Sequence, residues 1–171
     1  MRFAYADPPY VNCAHLYTEL HPDAMEWNEP ARHARLLNEL DETHPDGWAY
    51  SLTSSSLQVL LPLCPPGVRV LSWCKPFCNW KGSVNPAYAW EPVVVKGGRH
   101  RKHENPKVLD FLICNAPMQT GCPGAKPMEF AFWLFGVLGA QPGDELTDMF
   151  PGSGNVGKAW EIFNRQTLLY G

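Results

Sequence analysis

Apolar and polar positions along this chain fall into segments whose period alternates between strand-like and helix-like. Phe3-Ala4-Tyr5-Ala6 is a short continuous apolar run of the kind a buried strand needs, and it must end at Asp7, because two consecutive prolines cannot extend a central strand. The polar, proline-punctuated stretch 11–29 that follows is longer than an ordinary connection, which makes it a candidate active-site loop. Asn28 and Pro30 then open an amphipathic helix with Ala34, Leu36, Leu37 and Leu40 at helical spacing, ending near His44-Pro45.

A strand over 47–53 and a short helix over 54–63, stopped by Pro65-Pro66, come next. Two further strands, 68–73 and 89–95, are joined in a way that suits an antiparallel pair at the sheet edge, where Pro92 is tolerable. Pro127, the apolar series Phe130, Leu134, Val137, Leu138, and then Gly139 bound another helix. A strand over 145–149 leads to a last helix from 155, and Leu168-Leu169-Tyr170 reads as the stub of one more strand. The alternation predicts an α/β fold: a doubly wound, mostly parallel sheet with one antiparallel edge pair, in a single domain over 1–171.

Composition fits that picture. Hydrophobic residues make up 45% of 171 residues and there are seven tryptophans, enough for one sizeable core. No long apolar span or leader-like segment stands out, so no membrane partner is expected and the cytoplasm is the expected location. Six scattered cysteines read as free thiols, and no pair has the CxxC spacing of a strong zinc site, so no metal is expected. A net charge of −3 argues against gripping nucleic acid by bulk charge.

The chemistry concentrates at two places. Asp7-Pro8-Pro9-Tyr10 offers a carboxylate, outward-pointing carbonyls and an aromatic plate, with the prolines removing donors. Such a corner can accept both hydrogens of an amine on a flat ring, although a proline turn after an edge strand gives the same string. Near the other end, Asp148-Met149-Phe150-Pro151-Gly152-Ser153-Gly154 is followed by Asn155-Val156-Gly157-Lys158. This matches GxGxxG and comes close to the phosphate-binding GxxxxGK[ST] loop, but Ala159 lacks the hydroxyl that would hold magnesium, and no acidic residue follows at the dinucleotide-binding distance.

Together the DPPY and DxFxGSG motifs resemble those of the amino-methyltransferases that use S-adenosylmethionine to methylate exocyclic amines in DNA. The order, with DPPY first and the glycine motif last, resembles the permuted beta class, and Gly124-Ala125-Lys126-Pro127 ahead of a helix fits the same layout. The resemblance implies a Rossmann-like methyltransferase fold with S-adenosylmethionine as cofactor. It also implies DNA as partner, with an adenine flipped out of the duplex.

By that resemblance Asp7 and the carbonyl of Pro8 accept the amine, and Tyr10 stacks on the base. Lys126, Asp148, Phe150, Gly152, Ser153 and Gly154 form the cofactor wall. The strands ending at Asp7 and Asp148 should then be neighbours at the topological switch point. Lys126 reads equally well as solvation of a helix start, Glu91 as a structural partner, and Phe77 and Tyr88 as packing.

The densest basic cluster, with Arg99, Arg101 and Lys102, lies in 97–124, where the family carries its target-recognition segment. These three and Trp80 are the candidate nucleic-acid contacts, a solvated loop being the plain alternative. Family members continue past the glycine motif to an acidic residue that holds the cofactor ribose, whereas this sequence stops at Gly171, a fold truncated at the C-terminal end. Open alternatives are a homodimer that completes the site, a catalytically silent nucleic-acid-binding module, or a methyltransferase for cytosine, RNA or a protein amide. The small size suits a virus or mobile element.

Overall fold

The computed structural model describes residues 1–77, 84–103, 106–117 and 124–167. Trp80 and the expected strand stub at 168–170 lie outside the described residues. Among the described residues six strands form one sheet: β1 (Arg2–Ala6), β2 (Gly47–Ser51), β3 (Arg69–Cys74), β4 (Trp90–Gly97), β5 (Phe111–Ile113) and β6 (Glu145–Asp148), in the order β5-β3-β4-β2-β1-β6. β4 alone runs against the other five, pairing antiparallel with both β2 and β3. The antiparallel pair is therefore present, with β5 added outside it, parallel to β3. Pro92 sits one position past the end of β2, where its carbonyl accepts from the Leu52 N–H and a ladder N–H from it is not called for.

Helices cover both faces, as the alternation of inward side chains requires. Phe3 and Tyr5 of β1 and Val93 and Val95 of β4 pack under α3 (Met128–Leu138) and α4 (Asn155–Thr167). Ala4, Ala6 and Val94 face the other way, against α1 (Pro30–Thr43) and α2 (Leu57–Leu60). The short helix expected over 54–63 is α2 flanked by 3-10 turns at Ser54–Ser56 and Leu61–Leu63, since Pro62 and Pro65 break the α-helical ladder.

Two consequences position the site. β1 and β6 are adjacent and parallel, with Tyr5 opposite Asp148, so both motifs leave the same end of the sheet side by side. β4, running the other way, delivers Trp90 and Glu91 to that end and releases 97–103 at the opposite one. There Gly98 N–H donates to the Asp46 carbonyl and Arg99 N–H to the Leu138 carbonyl.

Candidate active site

Asp7 is the first residue past β1, on the face that α3 covers, and α3 begins just after Lys126. The two side chains meet: Lys126 Nζ donates to Asp7 Oδ2 at 2.7 Å. Tyr10 Oη donates to Asp7 Oδ1 at 2.9 Å and lies 3.0 Å from Glu91 Oε2, while accepting from Lys126 Nζ at 3.1 Å. Lys75, one residue past β3, donates to Glu91 Oε1 at 2.7 Å. The corner is thus a closed set of two carboxylates, two ammonium groups and a phenol, drawn from the ends of β1, β3, β4 and α3. Its centre is dry, the Lys126 side chain being only 3% exposed.

The electrostatics follow from that burial. Burial raises the Asp7 pKa, and the Lys126 ammonium opposes it through charge and hydrogen bond. For Lys126 burial works toward the neutral amine, but Asp7, Tyr5 and Glu91 outweigh it and hold the ammonium well above its ordinary range. Burial likewise works against the Glu91 charge, yet Lys126 and Lys75 keep its pKa below the usual value. The Lys126 and Glu91 charges are thus each sustained by oppositely charged neighbours against burial, while at Asp7 burial and the Lys126 ammonium work against each other.

Beside it opens a cleft of about 650 Å³, bounded by Asp7 and Pro9, by 124–126, by 149–153, and by Tyr17, Asp23 and Trp27 of the 11–29 loop. That volume is in the range of small-molecule and cofactor sites. The glycine turn is tight: Gly154 N–H donates to the Pro151 carbonyl at 2.6 Å, and Gly152 and Gly154 have φ of +45° and +74°, which favours glycine. Asn155 Nδ2 donates to the Lys126 carbonyl, tying the start of α4 to the start of α3.

Asp148 lies next to the cleft but does not line it; its Oδ1 accepts from Phe150 N–H at 3.3 Å. Its Oδ2 is buried without a partner, alone in this among the described side-chain nitrogen and oxygen atoms. Burial raises the Asp148 pKa to about 6, with Asp7 adding to the effect.

The 11–29 loop is folded over the cleft rather than extended from it. It carries 3-10 turns at Ala14–Tyr17 and Ala24–Asn28. The buried His33 of α1 anchors it, with Nε2 at 2.7 Å from the Trp27 carbonyl and Nδ1 hydrogen-bonded to Tyr50 Oη. Since a carbonyl only accepts, the Nε2 proton must face Trp27. Trp27 in turn packs edge-on against Phe150, with ring centroids 5.2 Å apart. At the other rim Gly124 lets Tyr17 close in, because a Cβ there would stand 2.7 Å from Tyr17 Oη.

The structure thus brings Asp7, Tyr10, Lys126, Asp148, Phe150, Gly152, Ser153 and Gly154 to one end of the sheet. Pro8 is buried behind them, and Tyr10 turns its hydroxyl inward to the charge cluster. Lys126 is a partner of Asp7 as well as a lining residue of the cleft. Arg99, Arg101 and Lys102 do not join this group. They lie at the far end of the sheet, a strand length of roughly 17 Å away.

Arg99 there donates to both Asp144 oxygens at 2.7 Å and to the Gly139 carbonyl, and Arg101 donates to the Pro106 and Gly136 carbonyls. Residues 111–113 of the 97–124 segment are built into the sheet as β5. Lys75 and Glu91 were not singled out as site residues by sequence reasoning. The available signal was a carboxylate placed directly before the apolar run Pro92-Val93-Val94-Val95 of an otherwise buried strand.

No family model matches the sequence, and no curated protein does. Solved structures do. A crystal structure of M1.HpyAVI in complex with SAM superposes with a TM-score of 0.64 at 19% identity, covering 95% of this chain and 78% of that one. The chain has a Rossmann-like methyltransferase fold. A second M1.HpyAVI structure gives 0.58 at 16% identity over 96% and 76% of the two chains. TTHA0409 of Thermus thermophilus, provisionally a DNA modification methylase, gives 0.57 at 16% over 96% and 77%.

Proposed function

We propose that the protein is a DNA methyltransferase that moves a methyl group from S-adenosylmethionine to the exocyclic amino group of adenine. The observation that carries this reading is the adjacency of β1 and β6, which puts Asp7 and the glycine turn on the walls of one cleft. The fold it shares with a SAM-bound neighbour supports the choice of cofactor.

The residues present fit that cofactor. Asp148 Oδ2, a buried carboxylate oxygen lacking a donor, stands beside the cleft rather than on its wall, and an adjustment of the neighbouring 149–153 turn would present it to the cationic amino-acid end of S-adenosylmethionine. The glycine turn lets the backbone approach closely, and Trp27 and Phe150 offer aromatic surface. When bound, the cofactor supplies an electrophilic methyl on sulfur. In-line displacement then needs alignment more than acid–base power, and alignment is worth up to ~7–11 kcal/mol.

Asp7 accepts an N–H of the entering amine, and Tyr10 and Lys126 fix the orientation of its carboxylate. Burial of this corner keeps those interactions strong and water out. A base inside a duplex reaches the corner only by leaving the stack. Arg99 and Arg101 hydrogen-bond to Asp144 and to backbone carbonyls at the far end of the sheet, so on this reading DNA contact falls to the residues around the cleft mouth and the ends of β3 and β4.

The reading is tested by incubating the purified protein with isotopically labelled S-adenosylmethionine and mixed DNA and RNA, then hydrolysing to nucleosides. Label in N6-methyldeoxyadenosine is expected. Label in cytosine or RNA nucleosides would replace the substrate, and failure to bind the cofactor by calorimetry would defeat the proposal.

A further inference from the structure

At the amine corner, the position of an acceptor amine is taken by an amine of the protein itself. Lys126 Nζ sits 2.7 Å from Asp7 Oδ2, which is how an exocyclic amino group would meet the same oxygen. The other oxygen is engaged by Tyr10, so an entering amine must displace Lys126 or crowd it. A buried ammonium cannot simply let go, because a charge left without a partner in a dry site is strongly disfavoured.

A second carboxylate is within reach. Glu91 Oε2 is 3.5 Å from Lys126 Nζ, already an ion-pair distance, against 2.7 Å for the present Asp7 contact. Lys75 holds Glu91 in place from the opposite side, 2.7 Å from its other oxygen, and Tyr10 bridges Asp7 and Glu91. Because two ammonium groups face two carboxylates, moving Lys126 from one carboxylate to the other leaves no charge unpaired.

Building on the methyl-transfer reading, we infer that Lys126 is a placeholder for the acceptor amine, and that Glu91, fixed by Lys75, is the berth to which it moves when the acceptor arrives. Glu91 and Lys75 are positioning residues in this scheme. They act on the acceptor only through Lys126 and Tyr10. Before the acceptor binds, Lys126 keeps Asp7 ionised and oriented; once it binds, Asp7 Oδ2 is released to the amine.

The test uses Glu91→Gln, which keeps the shape and loses the charge, in the full chain. Methyl transfer should show kcat/KM for an adenine-containing oligodeoxynucleotide lowered by about tenfold or more, with cofactor affinity within about twofold of the parent and partial recovery in Glu91→Asp. Independently of turnover, the Lys126 15Nζ resonance, assigned by its loss in Lys126→Arg, should shift when the same oligonucleotide is added and stay fixed in Glu91→Gln. A stationary resonance in the parent protein, or unchanged kcat/KM in Glu91→Gln, overturns the inference. A shifting resonance in a protein that transfers no methyl group would instead overturn the functional reading and leave the berth standing.

Discussion

The two walls of the cleft differ in how complete they are. On the DPPY side the polar groups pair among themselves: Asp7, Tyr10, Lys126, Glu91 and Lys75 satisfy one another in a dry, balanced cluster. On the glycine side Asp148 keeps one buried oxygen with no donor, next to a turn closed by the Gly154 N–H to Pro151 carbonyl hydrogen bond. A satisfied cluster is rigid and stabilising, whereas an orphaned carboxylate is a cost that a ligand can offset. On the proposed reading, the acceptor side is built before substrate arrives and the donor side is completed by what binds.

Breaking the paired side should have the largest effect. Asp7→Asn removes the charge that Lys126 and Tyr10 are arranged around, and methyl transfer should fall by roughly 10²–10³-fold. Asp7→Ala should in addition lose about 3–5 kcal/mol of stability, because Lys126 is left buried with a more distant partner, as denaturant unfolding would register.

Asp148→Asn sharpens the contrast by acting in opposite directions on stability and binding. The Asp148 pKa in the fold, about 6, is above the ordinary 3.8, so between these values the folded chain holds a proton that the unfolded chain has lost. Stability contributed by this group therefore falls as pH rises from about 4 to 6, by up to roughly 3 kcal/mol. The asparagine variant should flatten that slope in unfolding midpoints measured from pH 4 to 7 and be the more stable protein at neutral pH. Its cofactor affinity should nevertheless drop about 10–100-fold by calorimetry, through loss of a charged hydrogen bond.

Gly124→Ala probes the rim between the two sides. Its φ of +72° and the 2.7 Å approach of Tyr17 Oη both resist a methyl group, so the 11–29 loop must lift there. A loss of about 1–2 kcal/mol in stability and a severalfold faster cofactor release are expected by stopped-flow. Arg99→Ala should matter least to the chemistry. It should lower the unfolding midpoint by breaking the Asp144 clasp, yet leave KM for DNA within about twofold, since the clasp stands at the far end of the sheet.

The elements that were legible in the sequence share one property: their signals are local. Asp7-Pro8-Pro9-Tyr10 and the glycine turn announce themselves within a few residues, and the helix after Pro127 carries its own start and stop. The adjacency of β1 and β6 was also accessible, because the doubly wound rule fixes which strand ends meet.

What stayed hidden depends on the direction and register of β4. Glu91 reaches Lys126 and Tyr10 only because it pairs with Trp73 in the β3–β4 ladder. The same reversed strand carries the Arg99 cluster to the end of the sheet opposite the cleft. β5 was too short, at three residues, to stand out from its surroundings.

The most direct measurement of whether one cleft joins an acceptor side to a donor side is single-turnover methyl transfer at saturating S-adenosylmethionine, comparing the parent protein with Asp7→Asn. A parent that methylates adenine-containing DNA, beside a variant that binds the cofactor equally and transfers roughly 10²-fold or more slowly, is the predicted result. Equal transfer rates, or cofactor binding lost together with transfer, would contradict the division of the cleft.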